Sequence, residues 1–284
     1  MINRDRHQLT KYGDTPLRVC PLFRRIIGVC PYFLFFLFLF IATACFGEAE
    51  EGFKHTAKSE HFIIYYDAAP VGYIDNLIVD AEKYYFSILD KLGFTRYDRF
   101  WAWENRCKIF IYSAKEGYNK KTGQPLWSEA SVNVKQRVIS AFLGRDNFKE
   151  ILLPHEMAHL IFREYVGFKP SLPLWLDEGI ACLQEPGNQV RIDSVKGFLK
   201  TDLFIPLQKL NDMRVEDIKL PMVFYAEATS VVDFMLKKYG KEKFVDFCRR
   251  IRDNTYWFDA LKSVYGFKDL AQMNEEWINF SVNR

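Results

Sequence analysis

Between Ile151 and Phe162 an apolar segment is interrupted by two histidines and a glutamate, in the order His155-Glu156-Met157-Ala158-His159. On a helix, residues four apart sit about 40° from eclipsed and about one turn along, so both imidazoles reach one point. Glu156 lies about 100° round from His155. That places a carboxylate beside the shared point, where it can take a proton from a water. Burying two imidazoles and a carboxylate on an apolar helix is costly unless something pairs with them, and a dication does. Two neutral ring nitrogens at about 2.0–2.1 Å suit Zn2+, and a catalytic zinc needs a third protein ligand and an open position. A third histidine six residues after His159 is absent, since that position is Tyr165. Nineteen residues after His159 comes Glu178, within Trp175-Leu176-Asp177-Glu178-Gly179-Ile180-Ala181.

The pair HEMAH and WLDEGIA, at this separation, closely resembles the gluzincin metallopeptidases, in particular the zinc aminopeptidases and the peptidase-MA-like proteins. The resemblance runs from the EHFIIYYD segment to YAEATSVVDFMLKKYG and is most specific at the metal motif. It implies that His155, His159 and Glu178 bind one zinc ion per chain and that Glu156 is the general base. It also implies a small sheet whose edge strand aligns the substrate, a helix carrying HEMAH, and a helical C-terminal part. Tyr225, in Phe224-Tyr225-Ala226-Glu227, is similar to the aminopeptidase tyrosine that opens a C-terminal helix and donates a hydrogen bond to the oxyanion. A core tyrosine is the other reading. Glu185, seven residues after Glu178, matches an acidic position of those enzymes that orients a ligand imidazole, or is a surface glutamate beside Pro186. Asp177 points away from the direction of Glu178, because adjacent helix residues diverge by about 100°. Cys182 reads as a small packed thiol.

The aminopeptidases carry a GxMEN-type strand that holds the substrate's free amino group, and no such sequence precedes His155. The expected activity is therefore zinc-dependent hydrolysis within a peptide or protein chain. A non-catalytic zinc-containing binding module of the same fold is the alternative, and the complete ligand set with Glu156 weighs against it.

The first 45 residues differ from the rest. Six basic residues (Arg4, Arg6, Lys11, Arg18, Arg24, Arg25) face only Asp5 and Asp14, and no charge occurs from Ile26 to Gly47. A basic stretch before the apolar run PYFLFFLFLFIATAC is the pattern of an export leader. Three fates are open: cleavage after Ala42-Thr43-Ala44, lipid attachment at Cys45, or retention as a membrane anchor. The chain's net charge of +3 belongs to this leader, since the remaining residues are close to neutral. Nothing is left to drive nucleic-acid binding. The expected location is extracytoplasmic, membrane-associated or secreted. Cys107, Cys182 and Cys248 are an odd set with no CxxC pair and read as buried thiols.

With 49% hydrophobic residues the chain can fill a sizeable core. The expected organisation is a leader (1–45), a polar linker (46–59) and one domain (60–284), with a sheet part (60–146) and a helical part (147–284). Strands are expected at 61–67, 107–112 and 134–142, a helix at 71–92, a loop at 119–127, and helices at 148–165, 222–239, 241–253 and 270–280. Strands first and helices afterwards define an α+β protein.

Overall fold

The computed structural model of the chain describes residues 52–97, 100–144, 147–169 and 171–284. The leader and residues 46–51 of the expected linker lie outside them. Among the described residues no helix is long and apolar enough to cross a membrane.

The first half alternates strands and helices: β1 (His55–Lys58), β2 (Phe62–Tyr66), α1 (Tyr73–Leu92), β3 (Cys107–Tyr112), α2 (Lys115–Thr122), β4 (Ala130–Asn133) and β5 (Val138–Phe142). The strands form one sheet in the order β1-β2-β3-β5-β4. The three central strands run parallel and both edges are antiparallel. Central strands covered on both faces are predominantly apolar, as FIIYY, CKIFIY and VISAF are, with Lys108 and Ser140 the polar exceptions. The edge strands HTAK and ASVN are four residues long, so each offers only a short stretch of free backbone.

Three expectations need correction. The linker over 46–59 ends in a strand, because its last residues pair with β2 from His55↔Tyr66 to Lys58↔Ile63. The single strand over 134–142 is a hairpin turn followed by β5. At that turn Asn133 Oδ1 accepts the Gln136 amide at 3.1 Å and Arg137 takes a φ of 55°, which ends the extended run. Part of the loop over 119–127 is also helical, as the end of α2.

The second half is helical. A π-helical turn (Phe148–Leu152) leads into α3 (Leu153–Val166), followed by α4 (Leu174–Cys182), α5 (Asn188–Phe198), α6 (Leu207–Asp212), α7 (Pro221–Tyr239), α8 (Lys241–Arg252), α9 (Trp257–Tyr265) and α10 (Leu270–Asn283). Helix α3 is buried continuously from Leu153 to Phe162, so its polar residues have no solvent-facing stripe to occupy. The Arg137 guanidinium holds Glu164 of α3 with two 2.8 Å hydrogen bonds, fixing the β4–β5 hairpin against this helix. Tyr165, at the position where a third histidine is lacking, stacks on Phe94 with centroids 4.0 Å apart.

Helices α4 and α7 approach unusually closely at Gly179. A Cβ there would collide with the Ala228 carbonyl and lie 2.8 Å from Val232 Cγ2. Only glycine permits this contact.

Glu227 of α7 is fully buried and accepts the Ile205 amide at 3.0 Å. Burial pushes its carboxyl up from 4.5 to about 8, against the lowering effect of that hydrogen bond. A carboxyl raised in the folded state contributes its full stability below its unfolded value, and the contribution is lost as pH rises towards the folded one. The protein is therefore expected to lose about 1.4 kcal/mol per pH unit through this group over that window. Urea unfolding at pH 5 and pH 8 should show the loss in the native chain and its absence in Glu227→Gln; equal slopes in the two would disprove it.

Candidate metal centre

Helix α3 presents His155 and His159 on one face, and α4, packed beside it, presents Glu178 towards them. The Nε2 atoms of the two imidazoles are 3.2 Å apart, and His155 Nε2 is 3.8 Å from Glu178 Oε2. One ligand atom from each of the three residues lies within 4.8 Å of the others. All three side chains are buried.

The opposite edge of each imidazole is held by a carboxylate. His155 Nδ1 is 2.7 Å from Glu185 Oε1, and His159 Nδ1 is 3.1 Å from Asp177 Oδ1. An ionised carboxylate only accepts, so each Nδ1 carries the proton and donates it. Both Nε2 lone pairs are thereby turned towards the point they share with Glu178. Each carboxylate in turn accepts from an arginine: Asp177 from Arg163 at 2.7 Å and Glu185 from Arg191 at 2.6 Å.

The charges around this point are shifted accordingly. Burial would lower the His159 imidazole, but the Asp177 hydrogen bond and charge, with Glu178 and Glu156, push it up to about 9. Asp177 is held well below the usual carboxylate range, burial being outweighed by Arg163 and His159. Glu178 is raised, chiefly by burial. Its Oε2 is buried and has no hydrogen-bond partner.

This orphaned oxygen tests whether the residues fit a metal. Two imidazole nitrogens and an unpartnered carboxylate oxygen converge on one point, and the surrounding carboxylates draw a proton onto His159; a metal cation there takes that proton's place and satisfies the Glu178 oxygen as well. With both imidazoles neutral, as metal ligands must be, the buried carboxylates Glu156, Asp177, Glu178 and Glu185 outnumber Arg163 and Arg191 by two, which a dication balances. Two nitrogens and one oxygen are the donor set of a zinc site with an open position. The residues fit.

Glu156 lies on α3 between the histidines, buried but outside the converging set. Tyr118 of α2 is close enough that the Glu156 charge helps, after burial, to push its phenol up to about 12. The Tyr118 hydroxyl is 2.7 Å from Ser128 Oγ, at the entrance to β4, so the sheet edge borders the Glu156 side of the centre. Tyr225 sits in the first turns of α7, buried, and its phenol is raised by burial and then by the charge of Glu178. Cys182 has its Sγ 4.0 Å from His155 Nδ1, and burial keeps it a thiol. A second possible metal grouping of His155, Cys182 and Glu185 would use the nitrogen already bonded to Glu185. Cys107 and Cys248 are buried and free, as expected.

The structure thus brings His155, Glu156, His159, Glu178 and Tyr225 into one region. Of the two readings of Glu185, it places the side chain on His155, buried. Sequence reasoning placed Asp177 away from the metal but missed its bond to His159, and it missed Arg163 and Arg191. Arg163 follows His159 by four residues on one helix, and that spacing was the available signal.

A family model described as the Peptidase MA superfamily matches residues 128–283, more than half of the chain. The chain belongs to the Peptidase MA superfamily. The match starts at Ser128, so it takes in β4 and everything after it and leaves β1 to β3 outside, a shorter span than the resemblance implied. No curated protein matches the sequence.

Proposed function

We propose that the protein is a zinc-dependent endopeptidase that is exported and membrane-associated through its N-terminal segment. The observation that carries the catalytic part is the orphaned Glu178 oxygen converging with two imidazole Nε2 atoms, with a spare carboxylate, Glu156, alongside. His155, His159 and Glu178 would hold the ion, one per chain. Bound there, Zn2+ supplies Lewis acidity towards a peptide carbonyl and a water. Glu156 takes the proton from that water as it attacks and delivers it to the departing amine nitrogen. The Tyr225 phenol, kept protonated, donates a hydrogen bond to the oxygen on which negative charge develops. β4, at the sheet edge, offers an unpaired backbone to which an extended peptide can add. Preference for internal bonds rests on the lack of a GxMEN-type strand. The basic and apolar pattern of 1–45 supports export, and the intact mass of the chain recovered from membranes distinguishes cleavage, lipidation at Cys45 and retention.

A quenched-peptide library should be cleaved by the protein, cleavage should stop on chelation, and one equivalent of Zn2+ should restore it. Turnover that survives complete metal removal contradicts the reading. One zinc per chain with no turnover across the library points instead to the binding module.

A further inference from the structure

We propose that Arg163 and Arg191 are positioning residues of the metal centre, each setting the direction of one imidazole through the carboxylate between them. The inference rests on the zinc reading above. Two chains of the same chemistry, imidazole to carboxylate to guanidinium, leave the centre by different routes. In one, Arg163 places both Nε (3.1 Å) and Nη2 (2.7 Å) on Asp177 Oδ2, which leaves Oδ1 to His159. In the other, Arg191 Nη2 takes Glu185 Oε2 and leaves Oε1 to His155. The first chain closes within α3 and α4, because Arg163 stands one turn beyond His159. The second crosses to α5.

A carboxylate bound on one oxygen only can swing about its terminal torsion, which is broad. Fixing the other oxygen removes that freedom, and with it the freedom of the imidazole. Both guanidiniums are mostly buried, with side chains 17% and 14% exposed, so water replaces them poorly. Neither belongs to the converging ligand set.

Charge and positioning predict opposite outcomes when an arginine is removed. The centre becomes more negative, so Coulomb attraction alone would tighten zinc binding. Loss of orientation weakens it, by about 10–100-fold where an outer partner of a metal ligand is lost. Positioning is the dominant effect in this proposal.

The experiment is a competition titration of zinc against a chromophoric chelator, on the full-length chain, with the apo melting temperature and the Co2+ ligand-field spectrum as companions. Arg163→Gln is expected to weaken zinc 10–100-fold and to alter the Co2+ spectrum at an apo melting temperature close to native. Arg163→Lys keeps the charge but not the two-nitrogen grip and should lose less. Combining Arg163→Gln with Asp177→Asn should cost little beyond Asp177→Asn alone, because the arginine acts through that carboxylate. Arg191→Gln, on another helix, repeats the test where the α3 variant folds poorly. Zinc affinity unchanged or tightened in these variants, or fully additive losses in the double variant, overturns the proposal. A native chain that binds no zinc overturns it together with the reading beneath it, which separates the two failures.

Discussion

Glu156→Gln lowers kcat by about 10²–10⁴, the usual contribution of a general base, while the protein keeps one zinc per chain. The amide has the shape of the carboxylate but cannot take a proton. Glu156 stands outside the set formed by His155, His159 and Glu178, so its replacement leaves the donors in place. It is also buried, which limits rescue by solvent. An interaction needed only in the transition state lowers kcat and kcat/KM together. Steady-state kinetics on a cleavable peptide, with zinc counted by mass spectrometry, reads both. A variant that cleaves at the native rate rules out the mechanism, and one that has lost its zinc makes Glu156 a ligand.

Glu178→Gln has a divided effect. Zinc binding should fall by more than the about 100-fold that loss of an outer partner costs, because a charged donor is gone. The apo protein should become more stable at neutral pH, by about 1–3 kcal/mol, the range for a buried polar group left unsatisfied. Native Glu178 is raised by burial, so its ionisation works against folding as pH rises above the ordinary carboxylate range. The replacing amide is neutral and can donate to a histidine lone pair. Chelator competition and apo thermal melts test the two halves. An apo variant less stable than the native chain would mean that the carboxylate is already satisfied without metal.

Much of this centre was legible in the sequence because helical spacing alone determines it. His155 and His159 must share a face whenever Leu153–Val166 is helical, and α1, β2 and β3 carry the apolar periodicity that identifies them. The short edges were not legible. HTAK and ASVN have no alternation to read, since each is short, has one neighbouring strand, and shows no residue fully buried on one face. The carboxylate and arginine chains were hidden for another reason. Asp177 turns from the point that Glu178 faces, as adjacent helix residues must, and where it then arrives depends on how α4 packs on α3. No one-dimensional pattern encodes that angle. Glu185 was visible as a position, but only the structure separates a ligand-orienting carboxylate from a surface one.

The contact at Gly179 bears on how the molecule can move. Glu178 and Tyr225 belong to two helices that meet backbone to backbone at Gly179 and Ala228, with the Val232 side chain packed beside the contact. The Glu178 carboxylate and the Tyr225 phenol are therefore expected to move as one piece, the fixed jaw of a vice. The β4–β5 hairpin belongs with the other jaw, since the Arg137–Glu164 clasp fastens it to α3, the helix of both histidines.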